Sequence, residues 1–245
     1  MKIKTLYEDQ DFLAIDKTSG IFVHSSTVLR AGPGESTVLD LMKKKYPGIQ
    51  LSHRLDKETS GVLVLSKNEK AYQFLKKQFQ ARTIKKTYLA IVNGHVKNDR
   101  GIINKPIGRS PKDFRRRLAG RGVRGKIREA ITEYRVIKRL HVPISTDREP
   151  MKTDIGVDQG QVSDISNFSL VELKPKTGRT HQIRVHMKFI NHPVACDSLY
   201  NPKGTCPKGF NRLALHAKSI EFTNLKDKTI KVESQLPKEF EKVVR

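Results

Sequence analysis

Long apolar runs are missing from this 245-residue chain, and with them any segment that could cross a bilayer as a helix, which needs about 20 consecutive apolar residues. No signal-peptide pattern or lipidation motif marks either end. Acidic residues are scarce: 25 Asp and Glu stand against 48 Lys and Arg, a formal net charge of +23. So large an excess goes beyond what solubility requires. It points to a polyanionic partner, nucleic acid in preference to a membrane surface. There are only two cysteines, Cys196 and Cys206, which without an export signal implies a cytoplasmic chain with reduced thiols. His192 lies near both, but the spacing lacks the Cys-x-x-Cys or His-x-x-x-His knuckles that pre-organise tetrahedral ligands, so no metal is expected. Also missing are a Gly-rich phosphate loop, a GxGxxG, a Pro/Gly/Ser linker and an internal repeat. The chain therefore reads as one domain over residues 1–245, with no obligate protein partner evident and a monomer expected.

What is present alternates short strands with a few helices. Residues 12–15 read as a first strand ending at the turn Lys17-Thr18-Ser19-Gly20, residues 21–23 as a second, and the apolar run 62–65 as a buried strand. Ser36 or Thr37 can cap a short helix carrying Val38, Leu39, Leu41 and Met42. Ala71, Phe74, Leu75, Gln78 and Phe79 fall at helical spacing and predict an amphipathic helix over about 68–81. Further strands are expected at 87–92, 131–137, 168–173 and 213–222, giving an α+β fold with a largely antiparallel sheet and flanking helices. Residues 108–128 carry nine Lys and Arg against the single acid Asp113, punctuated by Gly120, Gly122 and Gly125. Like-charge repulsion and glycine predict a loop that stays mobile until phosphates neutralise it, with Arg115, Arg116 and Arg117 as candidate RNA-backbone contacts. The polar, acid-rich stretch 141–167 has no functional reading.

The chemistry concentrates in three places. His53-Arg54-Leu55-Asp56-Lys57-Glu58-Thr59-Ser60-Gly61 sets one carboxylate among cations, on a loop entering the buried strand at Val62, and loops held on a rigid strand are common sites of chemistry. Asp56 is the candidate catalytic group. After the turn Lys176-Thr177-Gly178-Arg179, a helix is expected to begin near Thr180. Ile183, Met187 and Ile190 form its apolar stripe, and Arg184 projects from its first turn. In 85–94, Leu89 and Ile91 alternate with Tyr88 and Ala90, so Tyr88 faces away from Leu89.

These segments resemble the signatures of the RluA-type pseudouridine synthases, which isomerise uridine in RNA. Residues 53–61 look like HRLD-x-x-TSG, residues 175–186 like P-x-TGR-x-HQIR-x-H, residues 86–94 like K-x-Y-x-A-x-V-x-G, and residues 212–217 like RL-x-LHA. The resemblance runs from about Tyr7 to Phe222. It implies the pseudouridine synthase catalytic fold with a central RNA-binding cleft, catalysis by Asp56 paired with Arg184, and Tyr88 stacked on the target uracil. It further implies that Leu215 packs against the uracil pocket and that Arg54 fills the gap left by the flipped nucleotide. Asp56 would act either as a nucleophile or as a base that deprotonates the sugar. No cofactor is implied, since isomerisation involves neither redox change nor an outside group. Thr18 stands where the family commonly has a proline, and the extra N-terminal RNA-binding domain of many relatives is not expected. Large-subunit ribosomal RNA is the expected substrate and transfer RNA the alternative, because compact relatives act on either. A non-catalytic RNA-binding or ribosome-assembly factor with the same basic surface is the competing class, but it would not need Asp56, Arg184 and Tyr88 together at motif positions.

Overall fold

The computed structural model describes residues 3–24, 36–120, 122–145 and 165–244. In chain order the elements are β1 (Lys4–Glu8), β2 (Phe12–Lys17), α1 (Val38–Lys43), β3 (Ser60–Ser66), α2 (Glu69–Ala81), β4 (Lys85–Asn93), β5 (Arg100–Asn104), β6 (Ile107–Arg109), β7 (Arg117–Ala119), β8 (Arg124–Arg128), β9 (Ile131–Pro143), β10 (Ile165–Pro175), α3 (Gln182–Phe189), β11 (Leu215–Thr223), β12 (Thr229–Glu233) and α4 (Lys238–Val244). Nine strands form one mixed sheet in the order β1-β2-β3-β11-β4-β10-β9-β5, with β12 also pairing with β11. Its neighbours are antiparallel except β3 and β11, which run parallel. The α+β, mainly antiparallel expectation matches this architecture.

The run Val62-Leu63-Val64-Leu65 is apolar without alternation because β3 is covered on both faces. Val62 and Val64 pack with Ala71 and Leu75 of α2 on one side, while Leu63 and Leu65 meet Val38, Ile49 and Leu55 on the other. Full burial of such a side chain contributes about 1.5–3 kcal/mol. Leu55 therefore ties the segment before β3 to the core and leaves its neighbour Asp56 little freedom. Helix α2 starts at Asn68, whose side chain accepts the Ala71 amide at 2.9 Å, and ends at Arg82 in the left-handed conformation, close to the expected span. Thr37 is the cap of α1.

Four expectations need correction. Residues 21–23 form no strand, because the carbonyls of Phe22 and Val23 accept the Val38 and Leu39 amides at the start of α1. An additional strand, the exposed and charged edge strand β1, precedes the expected first one and carries no periodic signal in sequence. About half of residues 108–128 is strand: β6, β7 and β8 make a separate three-stranded sheet, anchored where Ile107 packs with Ala130, Val185 and Tyr200. Apolar anchoring at its base outweighs the charge repulsion at its surface. Cys196 and Cys206 are joined as a disulfide, Cα atoms 5.1 Å apart, and are not separate thiols. The loop between them folds back on itself, and His192 turns away to the Asn93 carbonyl at 3.0 Å. Of the acidic stretch, Asp147, Glu149, Asp154, Asp158 and Asp164 lie outside the described residues, as does Arg121 of the basic segment.

The parallel junction is narrow, with Ser60 opposite His216 and Gly61 opposite Ala217. Gly61 has φ +108°, and a Cβ there would overlap the Ala217 carbonyl oxygen. Gly61→Ala is therefore expected to lower stability by about 1–3 kcal/mol from backbone strain alone, with the overlap adding to the loss. Urea unfolding checks this; an unchanged midpoint would show that the junction is slack.

Candidate active site

Two turns, one from each side of the parallel junction, face each other across a cleft of about 650 Å³. The first is 52–59, carrying Asp56. Leu55 holds it from the core, and His53 staples it to β3 by accepting the Val64 amide at Nε2, 3.0 Å away. Burial pushes the His53 imidazole down to about 3, so it stays a neutral acceptor. Behind the turn, Lys17 is 1% exposed and donates to the carbonyls of Thr18, Ile21 and Lys57 at 2.8–3.0 Å. Burial pushes the Lys17 ammonium down to about 7, against the opposing pull of the Asp56 charge. Core, sheet and a buried cation thus all fix the backbone that presents this carboxylate.

The second turn, 177–182, is organised by Gln182. Its Oε1 accepts the Thr177 hydroxyl at 2.7 Å and the Arg179 amide at 3.0 Å, and its Nε2 donates to the Ile131 carbonyl and the Thr132 hydroxyl. The chain enters α3 through His181 in the left-handed region, φ 56°, so the helix begins two residues later than expected. Arg184 then sits on the first turn of α3, as expected, and is nearly buried. Its Nε and Nη2 each donate to one oxygen of fully buried Asp197 at 2.7 Å. Asp197 also accepts the amides of Leu199 and Tyr200.

The pairing implied for Arg184 with Asp56 is present at ion-pair distance, and a second carboxylate shares the guanidinium. The bidentate partner is Asp197, and the remaining nitrogen, Nη1, lies 3.7 Å from Asp56 Oδ2. A planar guanidinium has donors on more than one edge, so one carboxylate can fix its orientation while another edge faces the cleft. Burial works against the Arg184 charge, but the Asp197 hydrogen bonds and the charges of both carboxylates more than compensate and raise its pKa.

Tyr88 from β4 and Leu215 from β11 line the same cleft, and Arg54 stands exposed at its rim. Burial, then the nearby Asp56 charge, raises the Tyr88 pKa and keeps the phenol protonated. Lys86, also in the wall, is pushed down to about 8 by burial. Among the described residues lining the cleft, Asp56 is the single carboxylate, facing Arg54, Lys76, Arg82, Lys86, Lys176, Arg179 and Arg184.

Arg115, Arg116 and Arg117 do not line the cleft. Arg115 is paired bidentately with Asp113, Arg116 lies 3.5 Å from the same carboxylate, and the Arg117 guanidinium donates to the Phe114 and Arg116 carbonyls. The segment is nevertheless tied to the site, because the Arg117 amide donates to the Tyr200 hydroxyl at 2.8 Å. Three residues of this centre, Lys17, Asp197 and Tyr200, carry no distinguishing signal in the sequence. His181 is visible inside a motif. Asp197 and Tyr200 lie in a segment without periodicity, and only folding brings them to Arg184.

A partly apolar cleft with a tyrosine in its wall, a basic rim and one held carboxylate suits a nucleic-acid-modifying enzyme. Residues 11–189 match the family described as RNA pseudouridylate synthase. An uncharacterized RNA pseudouridine synthase of Bacillus subtilis is 33% identical over 252 residues, covering 100% of this chain and 72% of the relative. A ribosomal large subunit pseudouridine synthase C of Vibrio vulnificus is 31% identical, covering 98% and 68%. A tRNA pseudouridine synthase C of Haemophilus ducreyi is 33% identical, covering 92% and 87%. Among solved structures, human RNA Pseudouridylate Synthase Domain Containing 1 superposes with a TM-score of 0.74 at 25% identity, covering 96% of this chain and 84% of that one. The chain belongs to the RNA pseudouridylate synthase family and is an RNA pseudouridine synthase.

Asp197→Asn removes the charge that balances a buried guanidinium. Breaking one side of such a pair costs about 3–5 kcal/mol, and a loss of that size is expected in urea denaturation. A loss below about 1 kcal/mol would show that Asp197 does not hold Arg184.

Proposed function

We propose that Asp56 is the catalytic group of this enzyme and that its leading target is a uridine in large-subunit ribosomal RNA, with transfer RNA as the second reading. The observation that supports the catalytic assignment is the charge pattern of the cleft, a single held carboxylate among Lys and Arg. Isomerisation breaks the bond between N1 of uracil and C1′ of the ribose, turns the base, and joins C5 to C1′; the C5 proton is lost and N1 gains one. A carboxylate can begin this by attacking C1′ or by taking a proton from the sugar, and Arg184, 3.7 Å away, keeps it aimed when phosphates arrive. Tyr88 supplies a stacking face worth about 1–3 kcal/mol, which helps offset the few kcal/mol needed to flip the base out. Leu215 packs against the uracil edge and Arg54 fills the vacated stack. The target assignment rests on the relatives, whose names include both ribosomal and transfer RNA enzymes.

We also infer a cytoplasmic monomer composed of a single domain, the compartment argued from the RNA substrate and not from the cysteines, which are paired. In support, the exposed large apolar side chains, Ile102, Phe114, Ile127, Ile137, Ile165 and Phe189, each lie on a different element or turn. Among the described residues no helix is long and apolar enough to cross a membrane.

Mapping pseudouridine in ribosomal and transfer RNA from cells with and without the protein tests the target. One ribosomal site is expected to vanish; loss confined to transfer RNA would select the second reading. Asp56→Asn is expected to abolish turnover with RNA affinity nearly intact, and residual activity within tenfold of wild type would remove Asp56 from the catalytic role. Replacing Arg115, Arg116 and Arg117 together by Ala leaves the Arg117 amide in place. It is expected to flatten the plot of log affinity against log salt by about 0.7–0.9 for every phosphate that is no longer neutralised, with the single-turnover rate at saturating RNA unchanged. A collapsed rate with an unaltered slope would place the segment in the chemistry instead.

A further inference from the structure

The Tyr200 hydroxyl has two neighbours within hydrogen-bond distance, the Arg117 amide at 2.8 Å and His181 Nδ1 at 2.9 Å. The amide can only donate, so the phenol oxygen accepts from it, and the phenol proton is free to point at Nδ1. In that arrangement Nδ1 accepts and carries no proton, and the imidazole proton sits on Nε2. That atom faces Asp56 Oδ1 at 3.9 Å, while Arg184 Nη1 faces Oδ2 at 3.7 Å. The two oxygens of Asp56 are therefore addressed separately, one by a neutral N–H and the other by a cation.

We propose that Tyr200 and His181 form a positioning relay for Asp56: the hydroxyl locks the imidazole in its Nε2–H form, and that N–H grips the carboxylate oxygen that Arg184 leaves open. Closure by about 1 Å turns the 3.9 Å approach into a hydrogen bond. The left-handed turn at His181 and the Arg117 amide in β7 fix the two ends of the relay. A protonated ring would break it, since Nδ1 could no longer accept and the cation would form an ion pair with Asp56. The charged groups around His181 are Asp56, Asp197, Arg184 and Arg117. Burial lowers its pKa and the two arginines act in the same direction, while the two carboxylates oppose them.

The test begins with the free protein. Long-range proton–nitrogen NMR of ring-labelled histidine is expected to report the Nε2–H tautomer for His181 in wild type and its loss in Tyr200→Phe. An Nδ1–H tautomer in wild type overturns the proposal without any activity measurement, so it is separable from the assignment of Asp56. In single turnover at saturating RNA, His181→Ala is expected to lose about 100-fold, the scale of a misplaced reacting group. His181→Gln, which offers a neutral N–H near the same point, is expected to recover most of that loss. Tyr200→Phe removes the hydroxyl that holds the neutral ring while burial and the two arginines remain, so the acid limb of its pH–rate profile is expected to move up from its wild-type position. RNA affinity is expected to stay near wild type throughout, while Tyr200→Phe, which leaves the Arg117 amide without its acceptor, is expected to lower the melting temperature by a few degrees. An unmoved acid limb in Tyr200→Phe, or a Gln variant no better than Ala, would reduce the pair to scaffolding and overturn the relay.

Discussion

The buried bond between Arg184 and Asp197 is the interaction on which the rest of the site depends. Each ion gives up several kcal/mol of hydration on burial, and the return comes through two 2.7 Å hydrogen bonds and the amides of Leu199 and Tyr200 on Asp197. The result is a guanidinium whose plane is set before any substrate arrives, with one nitrogen left over for the cleft. A lysine could supply the charge but not two edges at a fixed angle. The Asp197 loop also carries Tyr200, so the segment that fixes Arg184 also positions His181 and the base of the β6–β8 sheet.

Most of the nine-residue motif around Asp56 acts as scaffold. His53 bonds to β3, Leu55 enters the core, the Lys57 carbonyl takes the Lys17 ammonium, and Ser60 meets His216 at 2.9 Å across the parallel junction. One carboxylate needs this much support because the cleft it faces is otherwise cationic. RNA phosphates will compete for those cations, so Asp56 must keep its place while its electrostatic surroundings change.

The legible parts of the chain are those where a single element determines the environment. The apolar run 62–65, the spacing within α2 and the stripe Ile183, Met187 and Ile190 each report burial on their own, and the structure buries them fully or, at Phe74, Phe79 and Ile190, in part. The motif segments can be placed at the ends of strands for the same reason. What escapes is pairing between distant segments. Nothing near Arg184 in sequence reveals that a residue thirteen positions on takes its fork, and nothing near Lys17 reveals that the Lys57 carbonyl accepts its hydrogen bond. The basic segment reads as loop throughout because charge repulsion is visible in composition, whereas the pairing of β6 with β7 and β8 and the packing of Ile107 on Val185 and Tyr200 exist only after folding.

The parallel pairing of β3 with β11 joins residues 156 positions apart through Ser60 and His216. Contacts of such long sequence separation form late, since the loop they close is costly in entropy. During synthesis the Asp56 turn leaves the ribosome early, while its guide at Arg184 and Asp197 and its floor at Leu215 follow much later in the chain. A nascent chain therefore carries the basic surface long before it carries a complete catalytic cleft. The chain thus carries much of its basic surface before the pairing that closes the cleft can form, and the lining of the cleft is complete only once the segment through Leu215 has been made.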